Sequence, residues 1–197
     1  MNADWLIFRP QNIELRPGLI FYPGARVDHR AYSPALRAIA ESGYLVIVPR
    51  MPLNMALFAP ERAADIEKAF PEVRGWVIAG HSMGGAFAAQ YAARHPRSVK
   101  GLIMWAAYPP DSLSLVNSEI SVLSIYGSSD AIATPVEVLN GRKSLPANAE
   151  FVEIVGGNHA QFGWYGNQSG DGQPSISRDE QQNKAVEITL NFLRKLN

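Results

Sequence analysis

Six short runs of apolar residues recur along this chain, and helical segments are interleaved with them. The runs are "LIFYPG", "YLVIVPR", "GWVIAG", "KGLIMWAA", "EISVLSIYG" and "AEFVEIVGG". Strands that are apolar throughout and alternate with helices are typical of a parallel sheet with helices on both faces. Because ligands of such sheets bind at the carboxyl ends of the strands, we expect functional residues directly after the runs.

Helices are predicted from their end signals. In "AYSPALRAIAESG", Ser33 can cap the start, Pro34 suits the first turn and Gly43 ends the helix. At the C-terminal end of the chain, Ser177 and Glu180 have the spacing of a capping box before an apolar stripe. Two more helices are predicted in "APERAADIEKAF" and "MGGAFAAQYAARH".

Length and composition exclude several classes of protein. The 197 residues predict a single domain over residues 1–197. Lys+Arg and Asp+Glu both number 18, so nothing favours nucleic acid or an anionic membrane as a partner. Without cysteine there is no disulfide and no cysteine metal site, and the scattered histidines lack metal-ligand spacing, so no metal or cofactor is predicted.

The N-terminal stretch "MNADWLIFRP" lacks the basic region and long apolar run of a signal peptide. Apolar runs such as "YLVIV" are too short to cross a bilayer. A cytoplasmic location without a membrane span is therefore the expectation for the chain as written.

The candidate nucleophile lies between the third run and its helix, in Gly80-His81-Ser82-Met83-Gly84. A chain that turns from strand to helix within so few residues has no room for side chains at the two glycines. The serine hydroxyl is then exposed at the helix N-terminus, where the next N–H, that of Met83, can point at a developing oxyanion. The alternative is a helix-capping serine after a glycine turn.

The "GHSMGG" turn, with its strand and helix, resembles the nucleophile turn of the α/β-hydrolase fold. The resemblance covers nearly the whole chain. The stretch "FYPGARVDHRAYSPALRAIAESGYLVIVPRMPLN" further resembles a small bacterial branch without a lid, with dienelactone-hydrolase-type relatives. This resemblance implies a mostly parallel sheet with helices on both faces. The short interval between the strands ending near Trp105 and Tyr126 predicts that no cap domain is present.

The resemblance also implies a catalytic order of Ser, then Asp or Glu, then His. After Ser82, that order selects His159, which follows the last strand. The other three histidines fit other roles. His81 is expected to point away from the serine, His95 suits a helix C-terminus, and His29 lies in the loop after the first run.

Two acids lie between the serine and the histidine, directly after predicted strands. Asp130 follows "SVLSIYGSS", and Asp111 follows "MWAAYPP". Either can be a simple turn residue, since Asp favours turns. The "YGSSD" context resembles the acid position of the family, so Asp130 is chosen and Asp111 is kept in reserve.

The oxyanion donors are predicted to be the backbone N–H groups of Met83 and Ala25, the latter in the loop after the first run. Many relatives have His-Gly there, whereas this chain has "PGA". The difference removes one side chain, but the backbone N–H that would donate to the oxyanion is still present. Arg26, Trp105 and Trp164 are candidates for the substrate pocket, although solvation or packing would explain them equally well.

Together these residues predict a serine hydrolase, a carboxylesterase with a small-molecule acyl substrate and an open, shallow site. The alternatives are transfer of the acyl group to another acceptor, as in an acyltransferase or perhydrolase, and a non-catalytic binding module of the same fold. The segment Ala160 to Gly172 is expected to be ordered at the mouth of the site and to help shape the pocket.

Overall fold

A computed structural model describes residues 4–10 and 16–196. The first three residues of the stretch on which the signal-peptide prediction rests lie outside this range. The described strands form one sheet in the order β1-β3-β2-β4-β5-β6-β7. Their bounds are β1 Trp5–Phe8, β2 Gly18–Tyr22, β3 Val46–Pro49, β4 Trp76–His81, β5 Val99–Trp105, β6 Ser121–Gly127 and β7 Glu150–Ile154.

All neighbouring strands are parallel except β1, which pairs antiparallel with β3 at the edge of the sheet. The mostly parallel sheet is as predicted, and the six apolar runs correspond to β2 through β7. The edge strand β1 was not predicted. It is short and only its last residue is buried, so it lacks the continuous apolar pattern of the others.

The α-helices in the described residues are α1 Ser33–Glu41, α2 Arg62–Ala69, α3 Met83–Arg94, α4 Pro135–Asn140 and α5 Arg178–Arg194. The Ser33 cap prediction is wrong, because a 3-10 helix over His29–Tyr32 runs directly into α1 and makes Ser33 its first residue. The Ser177 cap is confirmed, since its side chain accepts a hydrogen bond from the Glu180 N–H at 3.1 Å.

Two apolar layers cover the sheet, and alternate residues of each strand belong to opposite layers. In β2, Leu19 and Phe21 face the layer that contains residues of α1 and α5, while Ile20 and Tyr22 face the layer of α2 and α3. Burial on both faces explains why these strands read as uninterrupted apolar runs. No described helix is long and apolar enough to cross a membrane.

In the sheet, β3 and β4 are the two neighbours of β2 and lie on opposite sides of it. The order of the strands therefore reverses direction at β2. A crevice opens at such a switch point, at the carboxyl ends of the strands. The loop after β2 and the turn after β4 meet there. Residues 106–120, between β5 and β6, form turns without a helix, so no lid covers this edge from that interval.

Candidate active site

The turn that carries Ser82 joins β4 directly to α3 and is set by steric exclusion. Ser82 has φ 53° and ψ −127°, a conformation that L-residues rarely adopt. A Cβ on Gly80 would overlap the backbone of Gly84, and one on Gly84 would overlap the carbonyl groups of Tyr22 and Pro23. The backbone therefore approaches itself too closely at both glycines for any side chain, as the sequence pattern predicted.

The Ser82 hydroxyl is half-buried and has no hydrogen-bond partner among the described residues. Its backbone is fixed from both sides, because its N–H donates to the carbonyl of Trp105 at 2.9 Å and its carbonyl accepts from Ala86. Among the described residues, Ser82 and His159 therefore share no hydrogen bond.

His159 and Asp130 lie against each other at the carboxyl ends of β7 and β6. Nδ1 of His159 donates to Oδ2 of Asp130 at 2.8 Å. The side chains are 1% and 0% exposed. A carboxylate in this position fixes the imidazole with its proton on Nδ1, so that Nε2 carries the lone pair.

Asp130 is held by its own loop as well as by His159. Its second oxygen, Oδ1, accepts from the N–H groups of Ile132 at 2.9 Å and Ala133 at 2.8 Å. Both carboxylate oxygens are therefore satisfied in a buried position, as a charged group there requires. Asp111, the reserve candidate, lies elsewhere: its side chain is 93% exposed and pairs with Lys143 at 3.2 Å.

The other histidines each have a different set of contacts. His95 pairs with Glu61 at 2.7 Å at the end of α3, and His29 lies 3.4 Å from its neighbour Asp28. His81 is buried beside the site, with its Nδ1 2.9 Å from the hydroxyl of Tyr32. Burial, and secondarily the proximity of His159, lower the pKa of His81 well below its usual value of 6.5, so its ring is neutral.

The loop after β2 presents the predicted oxyanion donor. Among the described residues, the N–H groups of Ala25 and Met83 have no hydrogen-bond partner, whereas Gly24 and Arg26, on either side of Ala25, donate to Tyr32 and Asn54. This loop packs closely on the start of α3, where a Cβ on Gly84 would overlap two carbonyl groups at the start of the loop. Two unpaired N–H groups are the number that an oxyanion hole requires.

The three pocket candidates have separate environments. Trp105 is 1% exposed, packs against core rings and donates its indole N–H to Thr189 at 3.2 Å, which argues for packing and against a pocket wall. Trp164 is 49% exposed, and the Arg178 guanidinium lies over its ring. Arg26 is exposed, with a left-handed φ of 60°.

Asp171 holds the loop that follows His159, a role that sequence reasoning missed. Its Oδ1 accepts from the N–H of His159 at 3.2 Å and its Oδ2 from the N–H of Ala160 at 2.8 Å. It thereby caps the 3-10 helix Ala160–Phe162 and ties residue 171 back to the histidine. No periodic pattern in the sequence predicts such a contact. The only indication is that Asp171 is the one acidic residue in the glycine-rich stretch 156–172.

Residues of α5 hold the same loop from the other side. Gln181 is fully buried and bonds both backbone groups of Asn158, at 2.9 and 2.7 Å. Arg178 donates to the carbonyls of Ala160, Gly163 and Gly166. The loop after His159 is thus tied to the rest of the fold by hydrogen bonds, and its role in shaping the pocket stays a prediction.

A family model described as "Alpha/beta hydrolase family" matches residues 18–183. No curated protein sequence matches the chain. Among solved structures, a thermophilic esterase from Thermogutta terrifontis superposes with a TM-score of 0.74 and 16% identity, covering 98% of this chain and 93% of that one.

Est1E from Butyrivibrio proteoclasticus gives a TM-score of 0.73 at 14% identity, covering 100% of this chain and 96% of that one. A monoacylglycerol lipase from Paleococcus ferrophilus gives 0.70 at 14% identity, covering 97% and 99%. At these identities the likeness shows a common fold.

Proposed function

Because this chain belongs to the α/β-hydrolase family, we propose that it is a serine hydrolase, specifically a carboxylesterase acting on small ester substrates. Ser82 is the nucleophile, His159 the general base and Asp130 the acid that orients the base. The backbone N–H groups of Ala25 and Met83 form the oxyanion hole.

One observation carries the proposal: the buried 2.8 Å hydrogen bond between His159 Nδ1 and Asp130 Oδ2. A structural histidine would have no need of a fully buried carboxylate, since burying a charge costs several kcal/mol of desolvation. A catalytic histidine needs this partner, because the carboxylate selects the tautomer and stabilises the imidazolium that forms during the reaction.

Acylation begins when Ser82 Oγ attacks the ester carbonyl carbon and gives its proton to Nε2 of His159. The carbonyl oxygen becomes an oxyanion that accepts from the N–H groups of Ala25 and Met83. Such donors act most strongly on the charge of the transition state, and losing one typically lowers turnover by about 100- to 1000-fold. The tetrahedral intermediate collapses, its bond to the alkoxy oxygen breaks, and the imidazolium protonates the departing alcohol.

Deacylation repeats the same steps with water. His159 takes a proton from water, the hydroxide oxygen attacks the acyl carbon, and the bond to Ser82 Oγ breaks as that oxygen regains the proton. The carboxylic acid is then released. Asp130 holds the imidazole in place throughout, since one of its oxygens accepts from His159 and the other from its own loop.

The substrate class is supported by two observations. Residues 106–120 provide no helical lid over the site, which suits small or flexible acyl groups. Two structural neighbours on the same fold are described as an esterase and a monoacylglycerol lipase. The finer resemblance to dienelactone-hydrolase-type relatives remains a prediction.

The proposal is tested with a panel of short-chain p-nitrophenyl esters, thioesters and lactones, with Ser82→Ala as the blank. We expect turnover of short-chain esters that the substitution reduces to background. Ser112→Ala, at an exposed serine outside the site, is the matched control and retains full activity. Added alcohol acceptors separate hydrolysis from acyl transfer by product. Absence of turnover across the panel, or equal turnover by Ser82→Ala, contradicts the proposal.

A further inference from the structure

A buried chain of hydrogen bonds joins the loop after β2 to the turn that carries Ser82. The Gly24 N–H donates to the hydroxyl of Tyr32 at 3.0 Å, and that hydroxyl lies 2.9 Å from Nδ1 of His81. Gly24, Tyr32 and His81 are all buried. None of these groups takes part in the chemistry proposed above.

Pairing of the phenol hydrogen favours one direction for this chain. The Tyr32 hydroxyl accepts from Gly24, and Nδ1 of His81 is the acceptor that lies within reach of its single hydrogen, so we assign the hydroxyl as donor to Nδ1. His81 then carries its proton on Nε2. Burial raises the pKa of Tyr32 and lowers that of His81, so both stay neutral and neither serves as an acid or base.

The two ends of the chain lie directly beside catalytic groups. Gly24 precedes Ala25, the proposed oxyanion donor, and His81 precedes the nucleophile Ser82. The packing is close, since a Cβ on Gly24 would lie 2.9 Å from Nδ1 of His81 and 3.0 Å from the Tyr32 hydroxyl. The phenol therefore sets the separation between the loop and the turn.

His81 also contacts the proposed base. Its ring centroid lies 4.6 Å from that of His159, with the ring planes tilted by 45°. The residue before the nucleophile thus has a buried imidazole that hydrogen-bonds the Tyr32 hydroxyl and packs against the proposed general base. A shift of the His81 ring would therefore displace the turn that carries Ser82, the loop after β2 and the ring of His159.

We propose that Tyr32 is a positioning residue for the reaction. Its hydroxyl, which contacts both Gly24 and His81, holds the Ala25 N–H at a fixed distance from Ser82. The inference rests on the proposed function. Tyr32 touches no substrate, and its effect is on the geometry of the oxyanion hole. Because that hole binds the transition state more strongly than the ester, its distortion lowers kcat and leaves KM nearly unchanged.

The test is Tyr32→Phe, which removes the hydroxyl and keeps the ring. Tyr22→Phe is the matched control, since the Tyr22 hydroxyl is also buried between a backbone donor, Ala63, and a backbone acceptor, Pro60, but on the opposite face of the sheet. We expect Tyr32→Phe to lower kcat about 10- to 100-fold and to keep KM within about twofold. This decrease is at most equal to the decrease of about 100- to 1000-fold that follows the removal of one oxyanion donor. Tyr22→Phe retains kcat within about twofold.

A second readout is the affinity for a boronic acid that mimics the tetrahedral intermediate. Tyr32→Phe is expected to weaken it by the same factor as kcat, because both report on the oxyanion hole. A second pair of variants probes the other end of the chain. His81→Asn keeps an acceptor near the position of Nδ1 and is expected to retain more activity than His81→Leu, which keeps none.

Unchanged kcat and boronate affinity in Tyr32→Phe would overturn the inference alone. Equal losses in Tyr32→Phe and Tyr22→Phe, in proportion to their loss of thermal stability, would also overturn it, since they would show a general effect on folding. A wild-type protein without Ser82-dependent ester turnover would overturn the proposed function and this inference together.

Discussion

The turn that carries Ser82 and the loop that carries His159 are ordered by different forces. At the turn, the backbone passes so close to itself that Gly80 and Gly84 exclude every side chain. In the loop, polar side chains distant in sequence, chiefly Asp171 and Gln181, bond the backbone on either side of His159. Steric exclusion leaves a short local pattern in the sequence, whereas a network of distant hydrogen bonds leaves none.

This difference predicts how each region responds to substitution. The turn has no flexible neighbour that could move aside, so a single methyl group is expected to disrupt it. The loop is held by several independent contacts, so the loss of one is expected to loosen it and to reduce activity in part.

Gly84→Ala is expected to have the largest effect. Its new Cβ would overlap two backbone carbonyls, so the start of α3 must move away from the loop after β2. We expect activity below detection and a loss of at least about 3 kcal/mol in the free energy of unfolding, the upper range for overpacking. Urea denaturation and ester turnover measure the two effects.

The matched glycine in the loop is Gly166, which has φ 89° and open space around its Cα. Gly166→Ala carries only conformational strain, about 1 kcal/mol. If Gly84→Ala and Gly166→Ala cost the same stability, the contrast between the two regions is wrong.

Asp130→Asn is expected to lower kcat about 10,000-fold without unfolding the protein, because the amide favours the wrong imidazole tautomer. The change removes a charge from a site that keeps its shape. Asp111→Asn, the same substitution at the exposed acid after β5, serves as the control and is expected to match the wild type. The reverse pattern would make Asp111 the catalytic acid.

Asp171→Asn tests the clamp, that is, the two hydrogen bonds by which the Asp171 carboxylate holds the backbone of His159 and Ala160. The amide keeps one acceptor oxygen, but its NH2 group would face the N–H of either His159 or Ala160. We expect a loss of about 2 kcal/mol in stability, typical of a charged hydrogen bond, and a kcat about 10-fold lower as His159 loses its fixed position. Thermal unfolding and steady-state kinetics measure both quantities.

The control for the clamp is Asp179→Asn, at an exposed acid in the first turn of α5. It removes the same charge close by in sequence and is expected to cost less than about 1 kcal/mol through the helix dipole alone. If Asp171→Asn and Asp179→Asn lowered stability and kcat equally, the decrease would be due to the lost charge, and the clamp would not hold the loop.

The smallest effect concerns pH. The pKa of His81 is well below 6.5 in the folded protein and near 6.5 in the unfolded chain, so between these values the unfolded state binds one proton more. Stability from this group is therefore fully present above pH 6.5 and falls as pH drops, by at most about 1.4 kcal/mol per pH unit. His81→Asn is expected to remove this part of the slope in urea denaturation between pH 6.5 and 5. An identical slope in both proteins would mean that His81 does not titrate as described.

The central part of the fold was predictable from the sequence because it follows from local rules. Continuous apolar runs between helices indicated six of the strands, and the close approach at Gly80 and Gly84 follows from the glycine spacing around Ser82. The short edge strand β1 and the six-residue helix α4 were missed, since each has too few residues to show a period.

Contacts between distant segments were not predictable. The Ser33 cap was wrong because the preceding residues form a 3-10 helix whose last residue, Tyr32, turns its hydroxyl to His81, 49 positions away. The role of Asp171 depends on the path of an aperiodic loop. Trp105 illustrates the same limit, since its position after a strand suited a pocket while its indole N–H reaches Thr189 on α5 inside the core.

The proposed nucleophile is tested most directly by identifying the residue that a fluorophosphonate modifies. We expect a single adduct on the peptide that contains Ser82, formed rapidly in the wild type and at least about 1000-fold more slowly in His159→Ala, since the serine then lacks its base. Digestion and mass spectrometry locate the adduct, and the rate follows from its growth with time. An adduct on another residue, or equal labelling of Ser82 with and without His159, would show that Ser82 and His159 do not act as nucleophile and base.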